Sequence, residues 1–288
     1  MAAFKVAAIQ MRSGTDPERN VADMERMVRE AAGQGARYIQ TPEMTGAMVR
    51  DAEARKAAFT TQDKDGVAAV AGRLAAELGV FLHVGSTAIR RADGKLANRA
   101  LLYAPDGSLR ASYDKIHMFD VDLDKGESWR ESSAYEPGTE AVVTDIGEAR
   151  LGFAICYDLR FPQLFRTEAL AGADLLSVPA AFTRQTGEAH WHVLLRARAI
   201  ENGAFVVAAA QGGVHEDGRE TYGHSLIVDP WGRVLAEADH ADPGVVVAEI
   251  DAAQSAAARA KIPNLKNARE FTLETVTGPA PALRGAAS

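Results

Sequence analysis

Residues 151–162 are LGFAICYDLRFP, an apolar run that turns polar at a cysteine. The apolar run predicts a buried strand that ends at Cys156, and Pro162 is typical of the first turn of a helix. A strand followed at once by a helix is the repeating unit of parallel sheets covered by helices. Ligands of open α/β sheets bind at the carboxyl ends of the strands, so Cys156 is predicted to lie where a ligand would bind.

Strands and helices alternate on both sides of this segment. Strands are predicted over residues 4–11, 37–41, 80–89, 174–179 and 204–211, and helices over residues 17–33, 66–78, 162–172 and 187–203. Two strand–turn–strand units, one around Pro105-Asp106-Gly107 and one around Pro230-Trp231-Gly232, lie 125 residues apart. This recurrence predicts an α/β protein with two sheets of like construction.

Composition restricts the classes of function. The 288 residues include 32 basic and 39 acidic side chains, a net charge of −7, so a nucleic-acid partner is not expected. The one cysteine excludes an internal disulfide and a thiolate metal cluster. No apolar stretch reaches the roughly 18 residues of a membrane helix, and residues 1–10 resemble a first strand rather than a signal peptide. We therefore expect a cytoplasmic protein with no membrane partner.

The chain shows no linker before residue 254, which predicts a single domain. Its periodicity ends after Pro263, and residues 277–288 are rich in proline, glycine and alanine. We accordingly place one domain at residues 1–265 and a C-terminal tail at residues 266–288, either disordered or packed on a partner subunit.

A lone cysteine is usually a buried structural thiol, and it becomes a nucleophile only beside a base or a cation. Seven histidines could supply a base, and a cysteine–histidine pair stays open because such partners are distant in sequence. The alternative is a carboxylate with an amine, since Glu43 and Lys115 each follow a predicted strand directly. Side chains at strand ends converge in layered α/β folds, so Glu43, Lys115 and Cys156 are predicted to meet.

Three segments carry a family resemblance: TPE with Glu43, DKIHMFD with Lys115, and GFAICYDLRFP with Cys156. They resemble the signature segments of the nitrilase superfamily of carbon–nitrogen hydrolases, in the same order. Residues 189–201 and 222–232 are similar to its Nit branch, which includes deaminated glutathione amidase and omega-amidase. The resemblance spans roughly residues 4–265.

The resemblance implies a four-layer α-β-β-α sandwich, usually as a homodimer, with no metal and no organic cofactor. It also implies a second glutamate near Lys115; Glu131 fits this role and Glu127 is the rival. In the expected reaction Cys156 attacks a primary amide to form a thioester, Glu43 transfers protons, and ammonia leaves. The Lys115 ammonium and the Tyr157 backbone N–H are expected to hold the oxyanion.

The substrate expected from the resemblance is a small amide that bears a carboxylate. Arg160 is the predicted partner of that carboxylate, and Phe182 and Thr186 are predicted to line the pocket. Deaminated glutathione is the favoured substrate; 2-oxoglutaramate, another aliphatic amide, an N-carbamoyl compound or a nitrile are the alternatives. Two other classes of protein remain open, a cysteine–histidine acyl transferase or protease and a non-catalytic binding protein.

Overall fold

The structure, a computed structural model, describes residues 3–124, 127–275 and 277–278. In chain order its strands are β1 Phe4–Gln10, β2 Ala36–Gln40, β3 Phe81–Arg90, β4 Leu96–Tyr103, β5 Leu109–Asp114, β6 Asp120–Asp122, β7 Ser128–Arg130, β8 Val143–Asp145, β9 Arg150–Phe153, β10 Leu175–Ser177, β11 Phe205–Ala208, β12 Gly212–Val214, β13 Glu220–Tyr222, β14 Leu226–Val228, β15 Val234–Glu237 and β16 Gly244–Ile250. Its α-helices are α1 Pro17–Gly33, α2 Ala52–Ala58, α3 Gly66–Leu78, α4 Pro162–Leu170, α5 Arg184–Asn202 and α6 Ala253–Lys261.

Two six-stranded sheets form the centre of the molecule. Their strand orders are β16-β1-β2-β3-β4-β5 and β15-β14-β11-β10-β9-β8. Each sheet contains three adjacent parallel strands, β1-β2-β3 in the first and β9-β10-β11 in the second, and antiparallel strands on both sides of them. The prediction of two sheets of like construction is confirmed.

Alternation along β1 shows how the sheets are layered. Val6 and Ala8 face the core between the two sheets, where they share a cluster with Phe153 of β9. Ala7 and Ile9 point the other way, into a second cluster with residues of α1 and α3. Helices α4 and α5 cover the outer face of the second sheet. The result is the predicted α-β-β-α sandwich.

The ends of some elements differ from the sequence prediction. Strand β9 stops at Phe153, and Cys156 begins a short 3₁₀ turn instead of ending the strand. Helix α5 begins at Arg184, three residues before the predicted start. No strand was predicted at β16, although its Val245-Val246-Val247 run is typical of one. Its pairing with β1, across more than two hundred residues, is the part that no local pattern indicates.

None of the helices within the described residues is both long and apolar enough to span a bilayer. The predicted C-terminal tail lies in part outside the described residues, at 276 and 279–288. Its described part follows α6 and is exposed over residues 266–275, where Phe271 is 90% exposed.

Glu168 of α4 is an acid buried inside the fold. Its side chain lies against Gly152 of β9, where a Cβ atom would come within 2.6 Å of a carboxyl oxygen. Neither carboxyl oxygen has a hydrogen-bond partner among the described residues. Burial therefore raises the pKa of Glu168 well above its ordinary value; the nearby backbone N–H of Phe153 opposes this effect, and the charge of Asp158 adds to it. The folded protein thus favours the protonated, uncharged acid.

We expect Glu168→Gln to make the stability of the protein less dependent on pH. A raised pKa in the folded state means that stability is full below the unfolded pKa and falls as pH rises towards the folded pKa. As pH rises from 5 to 8, the unfolding free energy of the variant minus that of the wild type should increase, by up to about 1.4 kcal/mol per pH unit. Urea denaturation at several pH values measures this gain, with the exposed Glu270→Gln as control. A constant difference between variant and wild type would contradict the prediction.

Candidate active site

The turns that follow four strands supply the predicted catalytic side chains. Glu43 lies in the turn after β2, and Lys115 directly follows β5, both in the first sheet. Cys156 follows β9 of the second sheet, and Glu131 begins the 3₁₀ turn after β7. The structure brings all four side chains together where the two sheets face each other.

Lys115 is the centre of the cluster. Its side chain is 2% exposed, and its Nζ atom donates to Glu43 Oε1 at 2.9 Å and to the two Glu131 oxygens at 3.0 and 2.8 Å. Burial disfavours the ammonium, but the charges of Glu131 and Glu43 outweigh burial and raise the pKa of Lys115 well above its ordinary value. Lys115 is therefore a fixed buried cation.

Glu131, and not its rival Glu127, is the second glutamate beside Lys115. Its Oε2 also accepts a hydrogen bond from the backbone N–H of Phe119 at 2.7 Å. Glu127 instead accepts one from the indole N–H of Trp129 at 2.7 Å. The sequence did not decide which of the two glutamates lies beside Lys115, because they are only four residues apart.

The two oxygens of the Glu43 carboxylate have different hydrogen-bond partners. Oε1 faces Lys115, and Oε2 accepts from the backbone N–H of Ala181 at 2.9 Å. Burial raises the pKa of Glu43, but the Lys115 charge and its hydrogen bonds outweigh that effect and lower the pKa. Glu43 is thus an ionised carboxylate in a buried position, as a general base requires.

Asn98 is a site residue that the sequence analysis missed. Its Nδ2 atom donates to Glu43 Oε1 at 2.8 Å and to Glu131 Oε1 at 3.1 Å, so it bridges the two carboxylates. Asn98 interrupts the apolar strand β4 and is 1% exposed. A polar residue within an apolar strand was the available signal, because buried amides need partners.

Cys156 has an unusual backbone conformation. Its φ of 49° is positive, a backbone conformation that residues other than glycine rarely adopt. Its N–H donates to the Pro179 carbonyl oxygen at 2.9 Å. The following residue, Tyr157, lies in the first turn of the 3₁₀ segment, where backbone N–H groups lack partners within the turn. The chain therefore turns sharply at Cys156, between β9 and α4.

The thiol of Cys156 lies against the Glu43 carboxylate. Burial raises the pKa of Cys156 well above its ordinary value, and the Glu43 charge adds to this effect while the Lys115 charge opposes it. At neutral pH the resting site accordingly holds a protonated thiol beside an ionised carboxylate. The Cys156 thiol then loses its proton in the same step in which its sulfur attacks the substrate.

Asp158 joins the segment of Lys115 to the turn of Cys156. Its Oδ2 accepts from the Tyr113 hydroxyl at 2.7 Å and from the Ile155 N–H at 2.9 Å, and its Oδ1 accepts from the His117 N–H at 3.0 Å. Tyr113 and His117 flank Lys115 in the chain. The fully buried Asp158 therefore fixes the distance between the amine and the thiol.

A cavity of about 330 Å³ opens onto this cluster. Glu43, Lys115, Glu131 and Cys156 all lie in its wall. The predicted pocket residues Tyr157, Phe182 and Thr186 also line it. No histidine is among the lining residues in the described parts of the chain, so the cysteine–histidine alternative finds no support there.

Arg160, the predicted partner of a substrate carboxylate, is not among the residues that line the cavity. Its guanidinium lies 5.3 Å from the ring centroid of Phe182 and contacts His190 at 3.3 Å. Other arginines line the cavity, at positions 50, 55, 130 and 219. These arginines could not be predicted from the sequence, because they are scattered through loops and short elements and no local pattern indicates where those segments meet.

The arginines of the cavity differ in their partners. Arg219 pairs with Asp217 at 2.6 Å and Arg130 with Asp122 at 2.8 Å. Arg50 instead stacks on Trp129, with its guanidinium carbon 4.4 Å from the ring centroid. Among the described residues, Arg50 and Arg55 have no carboxylate partner. They give the wall of the cavity positive charge that no carboxylate of the described residues neutralises.

The cluster itself is not arranged as a metal site. Glu43 and Glu131 are the carboxylates that could act as ligands, and the Lys115 ammonium occupies the position between them. A thiol with a raised pKa is also a poor ligand, because metal ions bind the thiolate. These residues are suited to acyl transfer through sulfur.

Known proteins resemble this chain in sequence and in fold. The carbon–nitrogen hydrolase family model matches residues 5–260. The chain is 42% identical over 236 residues to deaminated glutathione amidase of Yersinia enterocolitica, covering 81% of this chain and 82% of the relative. It is 34% identical to human omega-amidase NIT2, covering 93% and 96%.

The crystal structure of the Caenorhabditis elegans NitFhit protein superimposes with a TM-score of 0.86 at 34% identity. The match covers 93% of this chain and 66% of that longer one. Both the family match and the identities extend over most of this chain. The chain belongs to the carbon–nitrogen hydrolase family, in its Nit branch, and is an amide-hydrolysing enzyme.

Proposed function

We propose that this enzyme hydrolyses small carboxylate-bearing amides through a thioester on Cys156, with Glu43, Lys115 and Glu131 as its other catalytic groups. The observation that carries the proposal is the convergence of a carboxylate, an ammonium and a thiol on one cavity. These groups come from segments far apart in the chain, and packing of apolar side chains alone does not require them to meet.

The reaction begins with a proton transfer from the Cys156 thiol to Glu43 as sulfur attacks the carbonyl carbon. The negative charge that develops on the carbonyl oxygen is stabilised by the Lys115 ammonium and the Tyr157 N–H. Glu43 then gives its proton to the leaving nitrogen, and the carbon–nitrogen bond breaks. Glu131 keeps Lys115 charged and in place through its hydrogen bonds.

The second half of the reaction removes the acyl group. Water takes the place of the departed amine, and Glu43 accepts its proton as oxygen attacks the thioester. Collapse of the second tetrahedral intermediate breaks the carbon–sulfur bond, and the proton on Glu43 returns to the sulfur of Cys156. One water is consumed, and the carboxylic acid leaves while the thiol and carboxylate are restored.

The charges of the cavity support a substrate with a carboxylate. Of the cations that line the cavity, Arg50 and Arg55 have no acidic partner among the described residues, and we propose that they bind the substrate carboxylate. Phe182 and Thr186 would contact the chain between amide and carboxylate. Deaminated glutathione is the favoured substrate because of the Yersinia relative, and 2-oxoglutaramate is the second candidate because of human omega-amidase NIT2.

A panel of amides tests this proposal: deaminated glutathione, 2-oxoglutaramate, an N-carbamoyl amino acid and neutral aliphatic amides. The amides of glutathione are secondary, so that substrate releases an amine and its products are read by chromatography and mass spectrometry. 2-Oxoglutaramate is a primary amide and releases ammonia. We expect kcat/KM to be highest for deaminated glutathione. Faster turnover of the neutral amides would contradict a carboxylate-bearing substrate.

Arginine variants in the same panel identify the partner of the carboxylate. Because a charge-assisted hydrogen bond is lost, Arg50→Gln and Arg55→Gln should each raise KM about 10-fold for the acidic substrates and leave the neutral amides unchanged. Arg160→Gln tests the sequence prediction in parallel. A rise in KM confined to the Arg160 variant would show that the assignment to Arg50 and Arg55 is wrong.

We further propose a homodimer in the cytoplasm. The outer face of α4 and α5 exposes Leu170, Val193 and Ile200, which are 63, 68 and 50% exposed, and such apolar faces favour association. A reducing compartment would keep the lone cysteine as a thiol. For the domain organisation, we retain a catalytic domain at residues 1–265 and a tail at residues 266–288.

A further inference from the structure

A second cluster of chemically active side chains lies outside the cavity. It contains His192 of α5, His224 just before β14 and Glu237 at the end of β15. The Nε2 atom of His192 and the Nδ1 atom of His224 each lie 2.8 Å from the same oxygen, Oε1 of Glu237. The donor atoms of the three residues all lie within 4.8 Å of one another.

We propose that His192, His224 and Glu237 bind a divalent transition-metal ion of the zinc class. Two imidazoles and one carboxylate are borderline ligands that suit Zn²⁺ and its first-row neighbours better than Mg²⁺ or Ca²⁺. Ligands about 2.0–2.2 Å from a tetrahedral ion lie roughly 3.4 Å apart, so each donor atom would move by less than about 1 Å. The ion would replace the protons that the two imidazoles now share with Glu237.

The backbone around His224 holds its imidazole in place. His224 has a positive φ of 54°, and its carbonyl oxygen accepts from the indole N–H of Trp191 at 2.9 Å. Trp191 is fully buried and precedes His192 in the chain, so one anchored residue fixes the relation between both histidines. The Tyr222 ring packs on the His224 ring with centroids 4.3 Å apart. This support resembles the outer groups that orient metal ligands.

The cluster is accessible to an ion from solvent. The side chains of His192, His224 and Glu237 are 32, 24 and 33% exposed. Three protein ligands leave a fourth tetrahedral position, which a water molecule can fill at a partly exposed site. The ion would connect α5 to the β14–β15 hairpin. Thr186, in the first turn of the same helix, lines the cavity, so the ion would also stabilise one wall of the active site.

The test is metal binding by the full-length protein carrying Cys156→Ala, which removes the one thiol that could bind the ion. After chelator treatment, Co²⁺ is added and its visible absorption is followed, and Zn²⁺ is then titrated in competition. We expect a tetrahedral Co²⁺ spectrum that saturates at one ion per chain and disappears on addition of Zn²⁺. Absence of the spectrum, or saturation only far above one ion per chain, would overturn the proposal.

Three variants in the same background locate the ion: His192→Ala, His224→Ala and Glu237→Gln. Loss of a direct ligand should weaken Zn²⁺ binding by at least about 100-fold, the upper limit of what loss of an outer group costs. His190→Ala is the matched control, because His190 lies on the same helix, is exposed and contacts Arg160. Glu237→Gln keeps the shape of the side chain, so it remains decisive if a histidine variant misfolds. Unchanged affinity in Glu237→Gln would show that the ion is bound elsewhere.

Discussion

Cys156→Ala should lower kcat for amide hydrolysis by at least about 10⁴-fold while the protein still folds and binds substrate. Without sulfur no thioester forms, and the oxyanion donors alone retain only a small part of the rate enhancement. Calorimetric titration of the variant with deaminated glutathione should still show binding, because the arginines and the rest of the cavity are unchanged. Circular dichroism checks the fold.

The single cysteine makes this prediction easy to verify in the wild type. Cysteine is the side chain that iodoacetamide modifies fastest, and an adduct that peptide mass spectrometry places on a cysteine can lie only on Cys156. Substrate should slow its formation, and quenching during turnover should trap an acyl adduct on the peptide that contains Cys156. Turnover by Cys156→Ala within 10-fold of the wild type would show that sulfur is not the nucleophile.

Lys115→Met should lower kcat/KM by roughly 10³-fold or more. Loss of one oxyanion donor costs about 10²–10³-fold by itself. The variant also leaves Glu43 and Glu131 as two buried carboxylates without their cation. Lys115 lowers the pKa of Glu43, so its removal raises that pKa and leaves less of the ionised base at neutral pH. The residual activity should therefore increase with pH over a range where the wild type is constant.

Two further variants make the Lys115 result interpretable. Lys115→Met with Glu131→Gln removes the repulsion between the carboxylates, so it should recover stability but not turnover. Lys95→Met removes an exposed lysine beside β4, and its kcat/KM should equal that of the wild type. Retention of kcat/KM within 10-fold by Lys115→Met would refute the role of the ammonium. The pH–rate profile separates loss of the base from a general weakening of the fold.

The layered fold could be predicted from the sequence because its elements carry strong local patterns. Asp16 and Pro17 mark the start of α1, and Gly79, with a φ of 66°, ends α3 as the sequence indicates. The pairing of β16 with β1 and the exact start of the turn at Cys156 could not be predicted. The first depends on a distant partner, and the second on a positive φ that only the surrounding structure maintains.

The candidate catalytic residues could be predicted from the sequence, but the residues that support them could not. Glu43, Lys115 and Cys156 each follow a strand, and the family resemblance of their segments made them candidates. Asn98 and the N–H of Ala181 act through tertiary contacts that arise only when the two sheets pack together. The same is true of Arg50, whose place beside Trp129 depends on strand β7, far from it in the chain.

The proposed catalytic groups are divided between two sheets, and this has a consequence for how the enzyme responds to heat. Glu43 and Lys115 move with the first sheet, whereas Cys156 and Ala181 move with the second. The reaction tolerates little error in the distances between the reacting atoms. A small displacement of one sheet relative to the other would therefore stop turnover while every helix remained intact. The catalytic rate is thus more sensitive to the alignment of the two sheets than any spectroscopic signal of unfolding.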